Sequence, residues 1–228
     1  MMNMKYTTLF LDLDNTLLDF SMAEAISIRR VLSEHNLPFD DEAIKVYSKL
    51  NRGWWERFEN GEIPKDLIYE GRFKSFCEYY GLTADTATMA VQYTNYLGEC
   101  NHIIDGTFEI MDYLKAKGYY LCATTNGLCT TQYSRIKGSG LEPYFDGVFV
   151  SEDAGSQKPE VEYFDYVISR IPEKDKSKML VVGDSPSSDI LGGINSGIDT
   201  CWFNPKNMES KYTPTYEIKT LAELKNIL

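Results

Sequence analysis

The sequence predicts an α/β protein, a doubly wound parallel sheet interrupted by an inserted all-helical subdomain. Three observations carry that expectation. Short apolar runs rich in β-forming residues recur along the chain, as strands buried on both faces require. Helical patterns follow these runs. Roughly 100 residues without a convincing strand separate the first run from the second, far more than a βα connection needs.

The first strand is expected over residues 6–13 (YTTLFLDL). Four helical segments follow, at 21–36, 41–59, 65–80 and 84–100. Asp40 and Asp41 stand where carboxylates can cap free N–H groups, and Pro64 where a helix tolerates a missing donor. A core helix is expected at 107–117, then a strand at 119–125 (YYLCATT) and a helix at 127–137. Strands at 147–151 (GVFVS), 179–183 (MLVVG) and 200–203 (TCWF) complete the sheet, with helices at 161–170 and 188–195 between them. Gly197 sits where a helix C-terminal glycine belongs. The organisation is therefore a core of residues 1–19 and 101–228, joined by right-handed crossovers, with residues 20–100 as the helical insert.

Composition narrows the function. The chain has 228 residues, 43% of them apolar, enough for a sizeable core. Its net charge of −11 repels nucleic acid, so an anionic substrate needs a bound cation or placed lysines to reverse the local field. The five cysteines (Cys77, Cys100, Cys122, Cys129, Cys201) are odd in number and never spaced C-x-x-C. They read as reduced thiols of a cytoplasmic protein. Only His35 and His102 are present, which argues against a histidine metal site or a Ser-His-Asp triad. Asp12 and Asp14 break the apolar N-terminal run, so it is not read as a signal peptide. No stretch approaches the roughly 18 apolar residues of a membrane span, and neither a membrane nor nucleic acid is an expected partner.

In an open α/β sheet, ligands bind at the carboxyl ends of the strands. Each expected strand end carries polar groups: Asp12-Leu13-Asp14-Asn15-Thr16, Thr125-Asn126-Gly127, the loop from Glu152 to Pro159 that holds Lys158, and Asp184-Ser185-Pro186-Ser187-Ser188-Asp189. Asp12 and Asp14 are alternate residues and can share one face. With Asp184 they form a set of oxygen ligands without histidine or cysteine, which favours Mg²⁺ over Zn²⁺. Asp12 can attack phosphorus, and Asp14 can give a proton to the leaving oxygen and later take one from water. Thr125, Asn126 and Lys158 can hold the phosphoryl oxygens. Thr16 and Asp189 are supporting residues. Asp189 suits three roles: a metal contact through water, an ion pair with Lys158, or a helix cap.

The tracts DLDNTLLD, TTNG, the lysine of GSQKP, and GDSPSSD resemble motifs one to four of the haloacid dehalogenase (HAD) superfamily. The resemblance covers residues 6–16 and 107–205, and it implies a Rossmann-like HAD core with a C1 cap as the helical insert. It also implies that Asp14 binds metal through its backbone carbonyl, leaving the side chain for proton transfer. VSEDAGSQKPEVEYFDYVISR, DILGGINSGIDTCWFNP and the cap tract NGEI…GRF are similar to bacterial pyrimidine 5′-nucleotidases, which implies a nucleoside monophosphate substrate. Asn15 replaces the commonest glycine, and asparagine tolerates the unusual backbone angles of that position.

Other readings share this core. A haloacid dehalogenase would lack Asp14. A sugar phosphomutase, a phosphoglycolate phosphatase or a sugar-phosphate phosphatase would keep both aspartates and differ in the cap. A catalytically silent binding module would not need the full motif set. The insert is expected to act as a lid that contacts the substrate beyond its phosphate. Trp54, Trp55 and Arg72 are the candidate contacts, although Trp54, Trp55 and Phe58 at helical spacing also suit packing.

Overall fold

The computed structural model describes residues 5–228. Six strands form one parallel sheet: β1 (Thr8–Leu11), β2 (Tyr120–Thr125), β3 (Gly147–Val150), β4 (Met179–Gly183), β5 (Asp199–Phe203) and β6 (Tyr216–Ile218). Their order is β3-β2-β1-β4-β5-β6, with Thr8 paired to Tyr120 on one side and Met179 on the other. Strand order reverses at β1 and β4, which is where such sheets open a crevice for ligands.

Side-chain alternation explains the apolar runs. Leu9, Leu11, Leu121, Ala123, Leu180 and Val182 pack in one hydrophobic layer. Their neighbours Phe10, Cys122, Met179 and Val181 pack in another, against Tyr163, Phe164 and Val167. Both faces are covered, and the central strands β1 and β4 are buried at every position. β6 was not expected: three residues at a sheet edge are too few to show a period of two. β1 is shorter than expected, because the N–H groups of Leu17 and Leu18 both turn back to the Leu13 carbonyl.

The chain divides into two compact units, one made of the chain up to Asp19 with His102–Leu228, the other of Phe20–Asn101. The second holds four helices: α1 (Phe20–Glu34), α2 (Asp41–Glu59), α3 (Asp66–Tyr80) and α4 (Thr86–Glu99). Asp40 caps α2 through the Ala43 N–H at 2.8 Å, and Asp85 caps α4 through the Thr88 N–H at 3.1 Å. Ile28, Val31, Tyr47, Phe73, Phe76, Met89 and Tyr93 give this unit its own apolar interior. In the first unit, α5 (Thr107–Lys117), α6 (Cys129–Ser139), α7 (Ser151–Ala154), α8 (Val161–Arg170) and α9 (Leu191–Ser196) follow the strands. Gly197 ends α9 with φ 68°, the left-handed conformation a glycine enters without a Cβ penalty. No helix among the described residues is long and apolar enough to cross a membrane.

Candidate active site

Asp12 follows β1 directly and is only 7% exposed. Its Oδ2 accepts the Thr16 hydroxyl at 3.0 Å, and its Oδ1 accepts Lys158 Nζ at 2.7 Å. Asn15 takes the left-handed φ of 58° that lets the chain turn back after Asp14.

Lys158 is 1% exposed, and all three of its ammonium hydrogens are committed to protein. They go to Asp12 Oδ1, to the Thr124 carbonyl at 2.9 Å and to Asp189 Oδ1 at 2.6 Å. Burial works against its charge, but Asp12 and Asp189 overcome that and hold it charged, above the ordinary lysine range. The backbone of Lys158 is fixed as well: its N–H donates to Asn126 Oδ1 at 2.9 Å and its carbonyl accepts Asn126 Nδ2 at 2.8 Å. Both residues were expected to hold phosphoryl oxygens. In the structure the Asn126 side chain ties two loops together, and the Lys158 ammonium neutralises two carboxylates.

Asp184 follows β4, and its backbone carbonyl accepts the Trp202 indole N–H at 2.9 Å. A π-helical turn, Pro186–Ile190, comes next and brings Asp189 back over the strand end. Asp189 Oδ2 accepts the Ser185 N–H at 3.1 Å. The turn needs Gly183: a Cβ there would lie 2.2 Å from the Asp189 carboxyl carbon. One carboxylate oxygen from each of Asp12, Asp184 and Asp189 lies within 4.8 Å of the other two. Burial, helped by Asp189 and Asp14, pushes the Asp12 carboxyl up to about 7 against the pull of Lys158. Burial and the Asp12 and Asp189 charges hold Asp184 well above the ordinary aspartate range.

The Asp14 side chain does not join this cluster. Its Oδ2 accepts Gln132 Nε2 at 2.7 Å, and its Oδ1 is ion-paired with Arg135, whose side chain is fully buried. The same Gln132 Nε2 donates to Thr125 Oγ1 at 2.7 Å. Sequence reading missed Gln132 and Arg135. They lie three apart on α6, on the same buried face as Ile136. Polar residues sharing a stripe with a core isoleucine are the signal that could have found them.

In the helical unit, Arg72 is 3% exposed. Its Nη1 donates to Asn51 Oδ1 at 3.1 Å, its Nε to the Tyr69 carbonyl at 3.3 Å, and its guanidinium lies over the Tyr93 ring. Asn51 in turn donates to buried Glu24 at 2.6 Å. The Trp54 ring lies against Gly71, where a Cβ would come within 2.5 Å of it, and its N–H donates to Ser75 Oγ at 3.2 Å. Trp55 meets Phe58 edge to face. Arg72 and Trp54 thus lock α2 to α3, and for Trp54 this is the packing role its spacing allowed.

Residues 6–197 match the family described as haloacid dehalogenase-like hydrolase. This chain belongs to that family. It is similar to the HAD-hydrolase YfnB of Bacillus subtilis, 42% identical over 98% of this chain and 96% of that one. It is also similar to two proteins named pyrimidine 5′-nucleotidase. PynA of Streptococcus pneumoniae is 36% identical over 99% of this chain and 98% of its own length, and YjjG of Escherichia coli is 31% identical over 99% of each. The crystal structure of YfnB bound to magnesium superposes with a TM-score of 0.94 at 41% identity, covering 98% of this chain and 99% of that one. This HAD-type chain is accordingly an enzyme, a hydrolase of phosphatase type.

The residues present suit a divalent cation. The Asp184 carboxylate accepts no hydrogen bond from any described residue, is half-buried, and faces two other carboxylates. Like charges held that closely need a proton or a cation between them. The donor set is oxygen alone, as Mg²⁺ prefers.

Proposed function

We propose that this HAD hydrolase is a Mg²⁺-dependent phosphomonoesterase that works through an aspartyl-phosphate on Asp12 and acts on pyrimidine nucleoside 5′-monophosphates. The observation that carries the reading is Asp12 at the end of β1, fixed by Lys158 and Thr16, with Asp14 two residues on and held apart from the carboxylate cluster. A carboxylate so fixed is placed to act as a nucleophile while its neighbour handles protons. The two relatives named pyrimidine 5′-nucleotidase support the substrate class.

In this mechanism an Asp12 oxygen bonds to phosphorus as the bond to the nucleoside oxygen breaks. Asp14, protonated, gives its proton to that oxygen, and the nucleoside leaves as an alcohol. Asp14, now ionised, takes a proton from water, whose oxygen attacks phosphorus and frees Asp12 and inorganic phosphate. Thr125 donates to a phosphoryl oxygen, and Lys158 holds Asp12 and Asp189 in register. Asp12 and Asp184 through their side chains and Asp14 through its backbone carbonyl would hold Mg²⁺, which neutralises charge on the phosphoryl oxygens when bound. Trp54 and Trp55 are proposed contacts for the nucleoside. Arg72 would act on it indirectly, by holding Asn51 and Tyr69 in place.

The test is a phosphatase panel of UMP, dTMP, AMP, a hexose phosphate and phosphoglycolate, with and without Mg²⁺. UMP and dTMP should exceed AMP by the roughly 1–3 kcal/mol that shape discrimination supplies. A hexose phosphate or phosphoglycolate favoured by more than about tenfold, some 1.4 kcal/mol, would replace the nucleotidase reading and leave the phosphatase reading standing. Full activity in excess EDTA would sink the metal assignment.

A further inference from the structure

One buried amide touches two groups that the proposed reaction uses. Gln132 is 1% exposed, and its Nε2 carries two hydrogens. One goes to Asp14 Oδ2 at 2.7 Å and the other to Thr125 Oγ1 at 2.7 Å. Its Oε1 accepts Arg135 Nη1 at 3.3 Å. The amide orientation follows from its neighbours: reversed, its oxygen would face a carboxylate and its NH₂ a guanidinium. Gly127 makes the fit possible, because a Cβ there would lie 2.5 Å from Gln132 Nε2.

The consequence for Thr125 is a matter of counting. A hydroxyl has two lone pairs and one hydrogen. Thr125 Oγ1 accepts from Gln132 Nε2 and, at 3.1 Å, from the Gly127 N–H. Both lone pairs are taken, so the hydroxyl can only donate. A phosphoryl oxygen can only accept. Asp14 is constrained in the same way: Gln132 holds one of its oxygens and Arg135 the other, which fixes the carboxylate plane.

From this geometry we infer that Gln132 is a positioning residue, whose single amide both turns the Thr125 hydroxyl into a dedicated phosphoryl donor and holds the Asp14 carboxylate for proton transfer. The inference rests on the phosphatase reading above and extends it to a residue outside the four motifs.

The experiment compares wild type with Gln132→Met, which keeps the side-chain length and removes the donors. The substrates are p-nitrophenyl phosphate, whose leaving group needs little help from a proton, and an alkyl phosphomonoester, whose leaving group needs it. The readout is kcat/KM, which covers phosphoryl transfer to Asp12. A poorly held Asp14 should lower kcat/KM for the alkyl ester at least about tenfold more than for the aryl ester, since a positioned acid contributes roughly 10²–10⁴-fold. Inorganic phosphate should also inhibit competitively about tenfold less well, through the loss of one oriented donor. General loosening of the fold would lower both esters alike. If Gln132→Met does not fold, Gln132→Asn, one methylene short of both partners, gives the same two readouts. An alkyl-to-aryl ratio within twofold of wild type overturns the hold on Asp14. An unchanged phosphate inhibition constant overturns the hold on Thr125. Wild-type enzyme that hydrolyses neither ester with Mg²⁺ refutes the phosphatase reading and this inference with it, whereas a defect in the variants bears on Gln132 alone.

Discussion

Replacing Lys158 with methionine should destabilise the core unit more than any other single removal at the site. The ammonium lies 2.7 Å from Asp12 and 2.6 Å from Asp189. At an effective dielectric near 20, each contact is worth about 6 kcal/mol in gross attraction. Most of that is offset by the cost of dehydrating the lysine, and the stranded carboxylates take up protons instead. Removing one partner of a buried pair typically leaves a net loss of about 3–5 kcal/mol, which is the size expected here. Methionine keeps the stem volume, so packing contributes little to the loss. Denaturant unfolding at neutral pH in EDTA, followed by Trp202 fluorescence beside Asp184, measures it. Mg²⁺ should recover part of the loss, because a cation bound only by the folded state stabilises it by mass action. If Lys158→Met unfolded within about 1 kcal/mol of wild type in EDTA, the reading of this lysine as the charge that holds the cluster together would be wrong.

Three other outcomes are expected. Asp12→Asn should abolish turnover and leave thermal unfolding near wild type or slightly improved, since an amide is a poor nucleophile and one repelling charge is gone; near-normal phosphate release would rule out the aspartyl-phosphate. Gly183→Ala, with its Cβ 2.2 Å from the Asp189 carboxyl carbon, should cost about 1–3 kcal/mol and weaken Mg²⁺ binding by about tenfold or more, as calorimetric titration would register. Glu24 is buried in the helical unit, accepting Ser48 and Asn51 at 2.6 Å each, and burial raises its carboxyl above the ordinary value of 4.5 despite those bonds. The folded unit therefore binds that proton more tightly than the unfolded chain, and stability should fall as pH rises from 4.5 toward the raised value, by up to about 1.4 kcal/mol per pH unit. Glu24→Gln, whose amide the Ser48 hydroxyl can meet by reversing its bond, should remove that slope; an unchanged slope in denaturant titrations from pH 4 to 7 would assign it elsewhere.

What the sequence revealed and what it hid follow from the range of the interactions involved. The central strands were legible because burial on both faces leaves runs such as MLVVG, and β4 occupies Met179–Gly183. β6 escaped because three edge residues carry no period. Helix caps such as Asp40 and Gly197 act within one turn and left local marks. Asp12, Lys158 and Asp184 were legible because each stands in a short tract at a strand end. The partners of Asp14 were not, whereas an ion pair with Lys158 was one of the three roles open to Asp189. Arg135 lies 121 positions from Asp14, with the whole second unit between them in sequence, and on α6 it reads as one more surface cation. For Arg72 the enclosing partners Asn51, Tyr69 and Tyr93 were equally hidden, since none of them stands in a recognisable tract with it.

The junction between the two units has a consequence for how the chain reaches this state. Leu18 pairs antiparallel with Ile103, the Asp19 N–H meets the His102 carbonyl at 2.9 Å, and the Ile104 N–H meets the Leu17 carbonyl at 3.0 Å. The insert thus begins and ends on one small ribbon. β1 leaves the ribosome first but finds its partners only at Tyr120 and Met179. A folded insert with adjoining ends would shorten the effective loop between β1 and β2 from roughly 110 residues to roughly 30, easing the entropy of closure. Synthesis order then favours a sequence in which the helices mature first and the sheet assembles around their meeting point. For the sheet, the content of the insert matters less than the separation of its ends, so one core can accept inserts of different size and sequence.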